Sequence, residues 1–168
     1  MIDIPKLNPE DYDRLKDRIY FICKDFNELN IFELYEIVKA RYEVFACEQE
    51  ITCENDFDDK DKICKHLFVI DEEYGLNRVI GYCRLLPPGI SYEDASIGRV
   101  LVISDYRNKG IARKMMVKAI NKAQDNGMKV IGIHSNNEIA LKLYKSLGFV
   151  TKEFGEREYL EMKLWRIV

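Results

Sequence analysis

One turn of the chain is equipped to hold phosphate. It reads Arg107-Asn108-Lys109-Gly110-Ile111-Ala112, with Arg113 following. The apolar spacing becomes helical directly after Gly110, so the backbone N–H groups of a helix start, which lack partners inside the helix, fall among three cations. Donors, dipole and cations together suit a pyrophosphate, and Gly110 lets the backbone approach it with no Cβ in the way. A second charged set consists of Arg41, Arg84 and Arg99, with the acidic stretch from Glu48 to Lys65 between the first two. The strands predicted around Arg84 and Arg99 join through the Gly89–Asp94 turn and should run antiparallel. Arg84 opposite Arg99 would then place two guanidinium groups on one sheet face, with Arg41 joining from the first helix. Like charges so placed need anions between them. Those anions are either protein carboxylates such as Glu48 and Asp56 or a carboxylate of a substrate, and both readings stay open at this level.

The elements that must position these groups follow from periodicity. Residues 1–17 are polar and read as an N-terminal extension, with a short helix opening at Pro9, ahead of one domain over 18–168. Ile19-Tyr20-Phe21-Ile22-Cys23 is a strand, and Asn30 with Glu33 forms a capping box for a helix that frays near Cys47. Glu48 to Lys65 reads as a solvated acidic loop, or as a wall facing substrate. His66–Ile70 and Arg78–Leu86 are strands joined by a turn using Gly75, and Pro87-Pro88-Gly89 stops the second. Ile97–Ile103 is β-branched and continuous, as in a central strand covered on both faces. Ile111, Met115 and Ala119 then form a helical stripe that ends at Asn126-Gly127. A strand over Met128–His134, a helix from Asn137 to Gly148, and a hairpin of Phe149–Glu153 and Glu158–Trp165 around Gly155 complete the chain. The order β-α-β-β-β-α-β-α-β-β predicts an α/β fold, a mixed sheet with helices on both faces.

Composition excludes several classes. A chain of 168 residues with 47% hydrophobic and 33% charged residues is long enough for a real core. A net charge of −3 argues against a broad nucleic-acid or anionic-membrane surface. No apolar run reaches the ~18 residues of a membrane span, and the start lacks the pattern of a signal peptide. Five cysteines without a C-x-x-C pair, and only two histidines, argue against zinc and fit reduced thiols in the cytoplasm. The acidic loop lacks the glycine and ligand order of a calcium loop, so no metal is expected. There is no G-x-x-x-x-G-K and no G-x-G-x-x-G.

The Arg107–Ala112 turn resembles the acyl-CoA loop of the GNAT N-acetyltransferases, Arg/Gln-x-x-Gly-x-Gly/Ala after a buried strand. Downstream, Asn137-x-x-Ala140-x-x-x-Tyr144-x-x-x-Gly148-Phe149 is similar to that family's Asn-x-x-Ala-x-x-x-Tyr-x-x-x-Gly-Phe helix. Leu34-Tyr35, Arg41-Tyr42-Glu43-Val44-Phe45, Glu48-Gln49, the acidic loop, His66 and Ile97-Gly98-Arg99-Val100 look like the ElaA-like subgroup. Tyr159 stands where that subgroup usually has histidine. The resemblance implies a splayed cleft that binds acetyl-CoA and an acetyl group passed to a primary amine of a small molecule or protein, by a monomer or homodimer. It implies cofactor contacts from Arg107, Asn108, Lys109, Gly110, Ile111 and Ala112, and from Leu101 and Val102, whose main chain would run beside the pantetheine and offer an oxyanion donor. Asn137 would bond the pantetheine or phosphate end, unless it simply caps its helix. Tyr144 would protonate the leaving thiolate. The amine needs a base, for which Glu48, Asp56, His66 and His134 are candidates; Arg41, Asp56, Arg84 and Arg99 are the candidate acceptor contacts. Two rivals remain. Arg41-x-x-x-Phe45 with Glu54-x-Asp56-x-x-Asp59 is similar to the signature of acyl-homoserine-lactone synthases, and a non-catalytic acyl-CoA sensor would keep the loop without turnover.

Overall fold

The computed structural model describes residues 18–73, 76–154 and 157–164. The proposed N-terminal extension and the Gly75 and Gly155 turns lie outside the described residues. Seven strands form one sheet: β1 (Ile19–Asp25), β2 (Lys65–Glu73), β3 (Leu76–Leu86), β4 (Ala95–Val102), β5 (Val130–Ile133), β6 (Val150–Phe154) and β7 (Arg157–Lys163). The strand order is β1-β2-β3-β4-β5-β7-β6. Every pairing is antiparallel except β4 with β5.

Among the described residues three α-helices, α1 (Ile31–Arg41), α2 (Ile111–Asp125) and α3 (Glu138–Ser146), join the strands. The capping box at Asn30 and Glu33 forms as the spacing predicts. So does the buried stripe of α2, with Ile111, Met115, Met116, Ala119 and Ala123 inside. Gly81 and Tyr82 show why α1 and α2 take opposite sheet faces. A Cβ at Gly81 would lie 3.5 Å from Ile111 of α2, whereas the next residue, Tyr82, carries Arg41 of α1 5.6 Å above its ring. Successive residues of a strand point to opposite faces. The fold is therefore the expected mixed α/β sheet.

Two features depart from the periodic reading, and both shape the site. The first helix does not fray. Its α-helical part passes into a π-helical segment, Tyr42–Glu48, closed by Gln49 N–H to the Val44 carbonyl at 2.9 Å. The wider turn shifts the side chains that follow, Glu48 included. In the β3–β4 ladder, Tyr82 faces Leu101 but Arg84 faces Gly98, so Arg99 and Val100 together oppose Cys83. Arg84 is therefore not opposite Arg99. Arg99 sits at φ 54°, a left-handed bulge that bends β4. Pairing of β4 with β5 covers Ala95 to Ile97 against Ile131 to Ile133. Beyond Ile97, among the described residues, the two strands part.

Candidate active site

A cleft of about 940 Å³ opens where β4 and β5 diverge. Ile97 to Val102 of β4 form its floor, the Arg107–Ala112 loop and the start of α3 one side, and the π-helical segment with Glu54 and Asp56 the other. This size and concavity suit a ligand that is largely buried when bound.

The loop takes the shape its glycine and asparagine allow. Asn108 and Gly110 have φ of 61° and 76°, and the first bond within α2 is Lys114 N–H to the Gly110 carbonyl. The N–H groups of Ile111, Ala112 and Arg113 therefore precede any acceptor in their own helix, and no side chain caps this end. Arg107, Asn108, Gly110, Ile111 and Ala112 line the cleft. Lys109 does not. Its ammonium lies 5.5 Å over the Tyr106 ring. Arg107 grips the protein itself: Nε donates to the Val102 carbonyl at 2.9 Å, and its two terminal nitrogens fork onto Glu48. That bond holds the Glu48 carboxyl below its ordinary range. A carboxylate so held is a weaker base, so the geometry favours Glu48 as the clamp on Arg107 over the base role assigned from sequence.

The acidic loop is exposed over most of its length, but Asp56, Asp58 and Asp61 turn inward. It is a strap fastened by the three arginines. Arg41 Nε donates to Asp56 at 2.9 Å, and its Nη1 to both oxygens of Asp61 at 2.9 Å. Arg84 donates to Asp58 at 2.5 and 2.7 Å and to Asp61 at 2.9 Å. Arg99 Nε donates to Asp56 at 2.8 Å. Arg41 and Arg84 are 1% and 3% exposed and lie under the strap instead of in the cleft wall, which corrects their assignment as acceptor contacts. Arg99 and Asp56 do line the cleft, each already paired with the other. Burial opposes the charge on Arg84, but its bonds to Asp58 and Asp61 outweigh this and keep it firmly protonated. The Arg84 bond in turn pulls the Asp58 carboxyl down to about 2. Asp59, part of the acyl-homoserine-lactone-synthase pattern, points outward to Lys62 at 2.6 Å and does not join Asp56.

The histidines separate. His66 is fully buried, with Nδ1 2.8 Å from the Tyr82 hydroxyl and Nε2 2.8 Å from the Asp61 carbonyl. A carbonyl only accepts, so Nε2 carries the proton and Nδ1 accepts from Tyr82. Burial lowers the imidazole's pKa, and the ring stays neutral. His66 thus braces the strap and is no base for the cleft. Asp61, Cys64 and His66 present metal-type donor atoms within 4.8 Å of one another. The Asp61 carboxylate is taken by two arginines, however, and burial followed by the Asp61 charge pushes the Cys64 thiol up to about 12. His134 is exposed at the end of β5 and does line the cleft.

Tyr144 and Asn137 stand where the motif places them. Tyr144 is 3% exposed, lines the cleft and packs its ring 6.1 Å from that of Phe149. Burial, then the nearby Cys83, raises its phenol above the ordinary range, so it keeps its proton. Asn137 Oδ1 caps α3 by accepting from Ile139 and Ala140 N–H at 2.9 and 3.1 Å, leaving the Nδ2 donors as what it offers a ligand. Leu101 and Val102 lie along the floor as expected. Sequence reasoning missed Asp58 and Asp61 as arginine partners, because nothing local to either arginine selects them from the loop's other carboxylates. It also missed Tyr106, a buried cleft residue for which the sequence carried no separate signal.

The comparisons with known proteins give this fold and cleft a family. Residues 31–149 match the acetyltransferase (GNAT) family model, and the chain belongs to that family. It is 34% identical over 130 residues to a UPF0039 protein of Schizosaccharomyces pombe, covering 77% of this chain and 83% of the relative. An acyl-CoA N-acyltransferase from Pseudomonas aeruginosa superposes with a TM-score of 0.71 at 26% identity, over 85% of this chain and 98% of that one. Escherichia coli ElaA superposes at 0.69 with 21% identity, over 86% and 97%, which shows a shared fold. No helix among the described residues is long and apolar enough to cross a membrane.

Proposed function

We propose that this GNAT-family protein is an N-acetyltransferase that moves the acetyl group of acetyl-CoA to a primary amine of a small molecule or a protein. The observation that carries the reading is the junction of the Gly110 loop with the bulged part of β4 in one cleft. Pyrophosphate would meet the N–H groups of Ile111 to Arg113, and the pantetheine arm would run beside Leu101 and Val102 toward Tyr144. The amine nitrogen attacks the thioester carbon, and a main-chain N–H of the Leu101–Val102 segment faces the developing oxyanion. As the C–S bond breaks, the sulfur takes the Tyr144 hydroxyl proton. The proton lost by the amine passes to His134, the exposed imidazole of the cleft. Arg99 is already neutralised by Asp56, while Glu54 lines the same wall with no ionic partner among the described residues. The acceptor end therefore favours an alkylammonium over a carboxylate-bearing acceptor. The test is thiol release from acetyl-CoA with a panel of amines, read by product mass with a labelled acetyl group. Amine-dependent release of one thiol per acetylated product is expected. CoA binding without any amine-dependent release would make the protein a sensor.

A further inference from the structure

The phosphate loop hangs from a buried carboxylate, and we propose that Asp71, acting through the Tyr106 hydroxyl, is the positioning residue that sets the direction of this loop. The inference rests on the acyl-CoA reading above. Tyr106 ends the short 3₁₀ turn Ser104–Tyr106 immediately before Arg107. Its ring is 2% exposed and lines the cleft, and its hydroxyl donates to Asp71 Oδ2 at 2.5 Å. Asp71 lies on β2, fully buried, opposite Ile19 on one side and Arg78 on the other. Arg18 holds the same carboxylate, with Nε 3.0 Å from Oδ1 and Nη2 donating to Oδ2 at 3.1 Å. An O–H···O⁻ bond this short is of the charge-assisted kind.

None of the acyl-transfer steps calls on Asp71 or Arg18, yet a carboxylate with no exposure costs desolvation wherever it sits. What it does here is fix the root of the loop. From Tyr106 to the three helix-start N–H groups the chain passes through two left-handed residues, Asn108 and Gly110. The direction of those donors thus depends on a short run of backbone angles that begins at Tyr106. Arg107 also ties the loop, to the Val102 carbonyl at 2.9 Å and to Glu48; the Arg107 and Glu48 side chains are 37% and 41% exposed, and pairs of that kind stabilise little. The buried tie is the stiffer one. The Tyr106 ring also carries the Lys109 ammonium over its face, so one residue sets both the backbone donors and a loop cation. Donors held ready in this way bind without the cost of ordering the loop.

Tyr106→Phe removes the hydroxyl while keeping the ring, its buried volume and the Lys109 contact. Calorimetry of CoA binding to the full chain, well below its unfolding midpoint, should show a dissociation constant raised about tenfold, equivalent to ~1.4 kcal/mol. The circular dichroism spectrum should be unchanged. Asp71→Asn keeps an acceptor oxygen but loses the charge and should move the constant in the same direction. The double variant should be no worse than Asp71→Asn alone, because Tyr106→Phe acts only through the bond to Asp71. A merely structural role would lower the unfolding midpoint and leave the affinity of the folded protein alone. A dissociation constant within twofold of the parent in folded Tyr106→Phe overturns the proposal. Failure of the parent protein to bind CoA would overturn the acyl-CoA reading and this inference with it, whereas parental affinity in both single variants removes the positioning role only.

Discussion

Two aspartates in the acidic strap, two residues apart, should respond oppositely to the same chemical change. Asp61 accepts from Arg41 with both oxygens and from Arg84 with one, and these guanidinium groups are 1% and 3% exposed. Asp61→Asn keeps the shape and one acceptor oxygen but removes the charge, leaving three arginines with Asp56 and Asp58. Removing one partner from a buried ion pair costs about 3–5 kcal/mol. The retained oxygen and the 15% side-chain exposure of Asp61 reduce that to roughly 2–4 kcal/mol. At about 2–4 °C per kcal/mol for a domain of this size, the thermal midpoint should fall by roughly 5–15 °C. Asp59 is 84% exposed and touches Lys62 at the surface, so Asp59→Asn should leave the midpoint within about 1 °C. The assay is thermal unfolding of parent and both variants, at low salt and again near 1 M, where exposed pairs are screened but buried ones are not. Equal shifts for the two substitutions, or a neutral Asp61→Asn, would show that the strap is not anchored by the buried arginines.

Four further outcomes are expected. Tyr144→Phe should lower turnover by ~10²–10⁴-fold with CoA affinity unchanged, since it loses a proton donor and little else; a rate within twofold of the parent makes Tyr144 a packing residue. Gly110→Val places a β-branched residue at φ 76°, although an added Cβ there meets nothing within 4 Å; CoA binding should be lost, and retained calorimetric affinity in a folded variant rules out the phosphate loop. His134→Gln should depress turnover at constant CoA affinity, and an unaltered rate would return the base role to another group or to water. The Arg84 bond lowers the Asp58 carboxyl from its ordinary 3.8 to about 2, so its contribution to stability is present above ~3.8 and is lost as the pH falls toward 2. Asp58→Asn should flatten the acid-unfolding curve across that window, and an identical curve would contradict the pairing.

Much of the fold was legible because the elements that matter are periodic. The α2 stripe, the Asn30 capping box and the continuous β4 run each state their structure locally, and each is found. The shape of the Gly110 turn was legible for a related reason, since a glycine with φ above zero beside a helix start is a local backbone demand. What failed depended on distant partners. Nothing near Arg41 or Arg84 in the chain says that Asp61 will fold back over both. The π-helical segment was equally silent, because its apolar residues, Val44 and Phe45, fit an α-helical count as well as a wider one. The expected Arg84–Arg99 pairing assumed an unbroken antiparallel ladder, and one extra residue in β4 shifts it by one.

That extra residue links the strap to the cleft. A non-glycine residue in the left-handed region costs about 1–3 kcal/mol and persists only where its surroundings hold it. Arg99 is held by Asp56 at 2.8 Å and lies 3.5 Å from Asp58, the carboxylates that also bind Arg41 and Arg84. The bulge it forms begins two residues after the end of the β4–β5 pairing, where the strands separate and the floor of the cleft begins. The acidic strap is thus the far end of a chain of ion pairs whose near end keeps β4 bent. A solvated loop of the same composition would leave Arg99 with nothing to oppose its strain. Relaxation toward a regular strand would then carry the guanidinium away from the strap face and bring β4 closer to β5. The charge-rich segment with the least periodic sequence in the chain therefore helps to hold open the cleft on which the periodic elements converge.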